Sequence, residues 1–281
     1  MVQDSQIAYN IRAQERVARR YEKEHGEIFN DVEQARLRES LVYAIEAVQT
    51  QNSSVKALDF GCGTGNLTRH LLELGLHVVS ADIAHESLTL IEEKFGKTGR
   101  SDTMLIDGSD LAQIPDGTFD LTAEFAVLHH ISDYITAVRE MVRVTRPGGV
   151  IYLDHEHAGC HFTPSPELLE FRSLNDVEAG FFTRLVRFLN PGNFPHKLRD
   201  FVLVRFVHRN DPRYCLEGDI HIWPDDHIDW DHVRETVEQM GCRVVIDKDY
   251  LHFQAKYDPV VYERYRDRCA DMHVLVARKG Q

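Results

Sequence analysis

The feature that most constrains this chain is a short apolar run, residues 55–60, that ends in Gly61-Cys62-Gly63-Thr64-Gly65. Such a run bounded by glycines reads as a buried parallel strand turning sharply into a helix. Glycine adopts positive φ readily and lets a ligand approach the backbone closely. A glycine-rich turn between strand and helix therefore predicts a nucleotide site. The rhythm around the turn agrees. Helical patterns at 66–74, 86–95 and 134–144 alternate with strand patterns at 76–81, 103–106, 119–123 and 150–153. That alternation predicts an α/β fold with a doubly wound, mostly parallel, Rossmann-like sheet. The strand ends carry Gly61, Asp82, Asp107, Glu124 and His155, and in open α/β sheets the ligand lies outside those ends. Asp82 can accept hydrogen bonds from both hydroxyls of a ribose.

The flanks differ. Residues 1–50 read as an N-terminal helical segment, in which Ala35, Leu37, Leu41, Ala44 and Ala47 fall at helical spacing. After residue 156 the rhythm breaks, and residues 157–228 carry Pro164, Pro166, Pro191, Pro195, Pro212 and Pro224. They read as a cap inserted after the fifth strand. A helix at 230–240 and strands at 243–246 and 273–277 restore the pattern. The division is a segment 1–50, a core 51–156 and 229–281, and a substrate cap 157–228.

Several stretches resemble the class I methyltransferase family that uses S-adenosylmethionine, in its small-molecule type. They are residues 55–65 with the glycine turn, Val78-Val79-Ser80-Ala81-Asp82-Ile83, Asp107-Gly108, Phe119-Asp120-Leu121, Val127-Leu128-His129-His130, and the run from Arg143 through Pro147-Gly148-Gly149 to Val150. The resemblance is good over residues 54–156, weak over 230–278, and does not reach the cap. It implies S-adenosylmethionine as cofactor. Asp59 would anchor the loop and the methionine amino group. Gly61 and Gly63 would leave room for the methionine part, and Gly65 completes the turn. Asp82 would hold the ribose, and Ile83 would pack on the adenine. Asp107 and the Gly108 amide would bind its edge, and the backbone at Glu124 would meet the methionine end. An NAD site would need Gly-x-Gly-x-x-Gly, whereas Gly61, Gly63 and Gly65 are spaced Gly-x-Gly-x-Gly. Tyr9 and Tyr21 are candidates to close over the cofactor.

Methyl transfer is an in-line displacement in which the enzyme aligns donor and acceptor. An acceptor hydroxyl must also lose a proton, so a general base is expected. His129 and His130 after the fourth strand, and His155 at the end of the fifth, are the candidates. Strand alternation would put His155 and His157 on one side, and Asp154 and Glu156 on the other. His155, His157 and His161 could also gather with Asp219, His221, Asp225, Asp226 or His227. No recognised ligand spacing such as HExxH occurs among them, so no metal is assigned. Cap aromatics, among them Phe162, Phe171, Phe181, Phe182, Phe188, Phe194 and Trp223, would line an acceptor pocket or form the cap's own core.

The expected reaction is methyl transfer to a small or medium-sized organic acceptor, at an oxygen of a biosynthetic metabolite. The rivals are methylation of protein or RNA, and a binding module without catalysis. A net charge of −13 would repel phosphate backbones, so no nucleic-acid partner is expected. The arginines between Arg184 and Arg213 read as a solvated face. No run approaches the roughly 20 apolar residues of a membrane helix, and Met-Val-Gln-Asp-Ser-Gln does not begin a signal peptide. The five cysteines are scattered, without a CxxC pair, which suits a reducing cytoplasm. A homodimer is compatible with the sequence.

Overall fold

The computed structural model describes residues 2–49, 54–108, 110–175 and 218–281. The chain opens with α1 (Val2–Val17), α2 (Tyr21–Glu24) and α3 (Asp31–Glu46), and the last begins where the Asn30 side chain accepts a hydrogen bond from the Glu33 amide. There follow β1 (Lys56–Phe60), α4 (Asn66–Glu73), β2 (His77–Asp82), α5 (His85–Phe95), β3 (Ser101–Leu105), β4 (Phe119–Phe125), α6 (Tyr134–Val144) and β5 (Thr145–His157). Two helices, α7 (Gly159–Phe162) and α8 (Pro166–Asn175), come next. Beyond residue 218 lie the hairpin β6 (Ile222–Trp223) and β7 (Asp226–His227), α9 (Trp230–Gln239), β8 (Cys242–Tyr250), α10 (Pro259–Tyr265) and β9 (Met272–Lys279).

The main sheet has the order β3-β2-β1-β4-β5-β9-β8. Its first five strands are parallel, and β9 runs antiparallel to both β5 and β8. The order reverses between β1 and β4, which opens a crevice at their carboxyl ends. One face is covered by α3 and α4, whose Leu37, Leu41, Leu67 and Leu71 pack on Ala57, Val78, Leu121 and Tyr152. The other is covered by α6 and α9, through Val138, Met141, Val233 and Val237 on Leu58, Ile151 and Leu275. Burial on both faces explains why these strands read as apolar runs rather than alternating ones.

The expected doubly wound sheet is present, with differences at its edges. β5 already begins at Thr145, with Pro147 near its start, where a missing amide hydrogen is tolerated. The alternation expected at 154–157 is broken. His155 takes φ +67, and the pairing with β9 slips between Asp154 and Glu156, so a bulge re-aims the side chains there. The helix α10 carries too few turns to show a periodic pattern, but Asp258 caps it and Pro259 opens it. With α8 it forms a satellite core of Leu168, Phe171, Leu251, Phe253, Tyr262 and Tyr265. Phe171 is thus core. Phe181, Phe182, Phe188, Phe194 and the Arg184–Arg213 stretch lie outside the described residues.

A buried polar knot joins the N-terminal helices to the sheet. Arg36 on α3 pairs with Glu33 at 2.9 Å and Asp154 at 3.1 Å, and lies 4.0 Å from the centre of the Tyr250 ring. Tyr250 and Tyr152 both donate to Asp154. Removing one partner of such a knot would strand a buried charge.

Candidate active site

The crevice between β1 and β4 leads into one pocket, floored by the glycine turn and roofed by the N-terminal helices. Ile7, Asn10 and Gln14 of α1 line it, followed by Tyr21, Ile28 and Phe29. Tyr21 therefore faces the cavity; Tyr9 is buried without lining it.

The turn has three glycines with two different duties. All have positive φ, but the hydrogen in place of a side chain points elsewhere at each. A Cβ on Gly61 would meet Val127 at 2.6 Å, and one on Gly65 would meet Ile91 at 2.6 Å. Those two glycines let protein pack on the turn. A Cβ on Gly63 would find nothing nearer than the Gly61 carbonyl at 4.0 Å. All three of Gly61, Cys62 and Gly63 line the pocket, but of the three glycines only Gly63 has open space where its Cβ would be.

Around Gly63 the polar groups converge. Asp82 accepts from the Gly63 amide and the Ala84 amide, each at 2.8 Å, which fixes its carboxylate at the pocket wall beside Ile83. Asp59 accepts from Thr68 Oγ1 at 2.6 Å and also borders the cavity. Ile106, Gly108 and Asp110 line the adjoining wall, whereas Asp107 is exposed and outside it. Glu124 is fully buried, with its carboxylate turned onto the Val127 and Asp154 amides at 3.1 and 3.2 Å. Phe125 and Ala126 present the cavity surface instead.

Several pocket residues escaped the sequence reading, and the most telling of them is polar. Asn66, the first residue of α4, lines the cavity, and among the described residues neither end of its buried side-chain amide has a hydrogen-bond partner. Such groups are costly unless a ligand satisfies them. An Asn beside the glycine turn was the available signal.

These features fit S-adenosylmethionine. Gly63 leaves the opening, Asp82 offers acceptors for ribose hydroxyls, and Asn66 with the start of α4 offers donors for a carboxylate. Asp82→Ala should weaken cofactor binding by about 1–3 kcal/mol, the scale of charge-assisted hydrogen bonds. Calorimetry measures it, and unchanged affinity would remove Asp82 from the site.

Burial raises the Asp59 carboxyl to about 7, from an ordinary value of 3.8. Between about pH 4 and pH 7 the folded chain then keeps a proton that the unfolded chain has released. The stability of the ligand-free protein should fall as pH rises through that window. Asp59→Asn should flatten the fall, and the raised carboxyls of Asp82 and Glu124 leave a residual slope. Thermal melts across pH check it; identical slopes in both proteins would deny Asp59 this part.

Beyond β4 the pocket ends at His130, with a polar cluster of His129, Glu156 and Asp219 behind it. His130 lines the pocket, and its ring centre is 4.1 Å from that of His129. His129 Nδ1 lies 2.7 Å from Glu156 Oε2. Asp219 faces both histidines, 3.2 Å from His130 Nδ1 and 3.7 Å from His129 Nε2. Burial and the neighbouring His129 lower His130 to about 4, so its imidazole is neutral at pH 7. His155 is elsewhere. It stacks on Phe125 with ring centres 4.5 Å apart, sits 3.2 Å from the Tyr250 hydroxyl, and does not line the pocket. His157 and His161 stack on each other with ring centres 3.8 Å apart, and neither lines the pocket.

Residues 58–153 match the family described as a methyltransferase domain. Among curated proteins, the chain is 31% identical over 169 residues to a demethylmenaquinone methyltransferase of Anoxybacillus flavithermus, covering 57% of this chain and 68% of that protein. It is 35% identical over 123 residues to the one of Geobacillus stearothermophilus, covering 42% of this chain and only half of that protein. Among solved structures, an S-adenosylmethionine-dependent methyltransferase from Mesorhizobium loti superposes with a TM-score of 0.53 at 18% identity, over 85% of this chain and 98% of the other.

Proposed function

The chain belongs to the class I S-adenosylmethionine-dependent methyltransferases, and we propose that it methylates an oxygen of a small or medium-sized organic metabolite. The observation that carries this reading is the His129–Glu156 pair next to the pocket-lining His130. Bound S-adenosylmethionine supplies a methyl carbon already activated by its sulfonium. The chain itself has two tasks. The first is alignment: Asp82, Asn66 and the Gly63 turn hold the donor, and the helical roof excludes water. The second is the acceptor's proton. Glu156 holds the proton on His129 Nδ1 and leaves Nε2 as the base. His130, neutral, orients the hydroxyl. His155 supports Phe125 from behind rather than touching substrate.

A small acceptor fits a cavity roofed by α1 and walled by Ile7, Ile28, Phe29, Phe125 and Val127. A protein or RNA chain would need an open groove, and the charge of −13 favours neither nucleic acid nor acidic peptide. The relatives named demethylmenaquinone methyltransferases support a small organic acceptor, without bearing on the oxygen. The segment 157–228 is proposed to select the acceptor, since its Asp219 already stands in the polar cluster. No helix among the described residues is long and apolar enough to cross a membrane.

Incubation with methyl-labelled donor and a fractionated cell extract tests the proposal. The label should enter the small-molecule fraction as a methyl ether or ester. Label confined to protein or RNA would overturn it.

A further inference from the structure

We propose that His129, His130 and Asp219 form a binding site for a divalent first-row transition ion in the pocket wall. The inference deepens the oxygen-directed reading, because the side of the site that faces the cavity is where an acceptor oxygen would complete the shell.

The three donors belong to two separate pieces of chain, and each piece is fixed by its backbone. His129 and His130 occupy the short turn after β4, held by the Leu128 amide on Glu156 at 2.7 Å and by Asn10 Nδ2 on the His130 carbonyl at 2.8 Å. The segment bearing Asp219 is clipped to the same turn. The Ile220 and His221 amides both donate to the His129 carbonyl, at 2.9 and 3.1 Å. Gly218, at φ +86, lies against Asn10 so closely that a Cβ would be 2.3 Å from Asn10 Oδ1. The chain thus passes through a conformation and a gap that only glycine fits, and delivers Asp219 between the imidazoles.

The donor geometry suits an ion. One donor atom from each residue lies within 4.8 Å of the other two. Donors around a tetrahedral zinc-like ion, roughly 2.0–2.1 Å from it, stand about 3.4 Å apart. The Asp219 Oδ1 distances of 3.2 and 3.7 Å bracket that value. Among the described residues His130 Nδ1 makes no hydrogen bond, although this carboxylate is 3.2 Å away. The contact is therefore close without pointing along an N–H bond, as for two donors aimed at a common third point. Glu156, buried behind His129 Nδ1, is the carboxylate that metal-bound histidines commonly carry. It fixes the tautomer with Nε2 towards the ion. Two imidazoles and one carboxylate suit zinc, cobalt, iron or manganese rather than magnesium or calcium. With the ion in place both histidines are ligands and His129 Nε2 no longer serves as the base; a hydroxyl bound in the open position is acidified by the ion and gives its proton to solvent water.

Cobalt(II) added to chelator-treated protein is the probe. The expected result is a visible d–d band that saturates at a single ion per chain and is displaced by zinc. Asp219→Asn and His130→Ala should lose the band, Glu156→Gln should weaken cobalt binding by about 10-fold or more, and His161→Ala should leave it intact. Thermal melts confirm that each variant is folded. A band that survives in folded Asp219→Asn and His130→Ala, or its absence from the native chain, overturns the site. The readout needs no acceptor, so its failure leaves oxygen methylation standing. Cobalt binding with label delivered only to macromolecules would instead remove the oxygen-directed reading.

Discussion

Gly63→Val should lower S-adenosylmethionine affinity by about 100-fold or more, ~2.7 kcal/mol, in a protein that still folds. Its Cβ would enter the pocket rather than the protein, with no other atom within 4.0 Å. The two methyl groups would then occupy volume the ligand requires. A branched residue at φ +49 also carries backbone strain of roughly 1–3 kcal/mol, which lowers the melting temperature without abolishing the fold. The neighbouring glycines supply the contrast. Gly61→Ala and Gly65→Ala drive a methyl into Val127 or Ile91, at 2.6 Å in each case, so their first effect should be on stability. Calorimetry and thermal melts on the three variants separate the roles. Native affinity in Gly63→Val would place the cofactor outside this pocket.

The second large effect belongs to the polar cluster. His129→Ala should reduce kcat by about 100- to 10,000-fold, the usual range for a lost general acid–base group, with cofactor affinity nearly unchanged. Glu156→Gln should reduce kcat less, because an amide can still accept from Nδ1 but does not stabilise the charged imidazole. His155→Ala should act mainly through Phe125, raising the acceptor KM more than it lowers kcat. Single-turnover rates with labelled donor give these values. A His129→Ala enzyme of native rate would move the base elsewhere.

The parallel sheet and the cofactor floor were legible because each rests on local pattern. A buried strand has to be apolar, a tight turn has to be glycine, and Asp82, expected at a strand end, lines the pocket there. The polar cluster was legible only in part. His129 and His130 are conspicuous side by side, but their partners Glu156 and Asp219 are 27 and 89 residues on from His129 and His130 respectively, from the numbering. No local periodicity reports contacts of that range. The placement of His155 off the pocket lining has a related origin: the bulge that turns it onto Phe125 is set by pairing with β9, a strand more than a hundred residues later. Asn66 escaped notice because its significance is an unsatisfied amide, a property of surroundings rather than of residue type. The helix α10 was hidden by its length, and its cap Asp258 and leading Pro259 are the two signals that could have revealed it.

Calorimetric titration of the native protein with S-adenosylhomocysteine and, separately, with NAD tests the cofactor site most directly. The open Gly63 turn, the ribose acceptors on Asp82 and the waiting amide of Asn66 predict saturable binding of S-adenosylhomocysteine at a single site per chain, and no heat from NAD. Saturable NAD binding without any response to S-adenosylhomocysteine would contradict them.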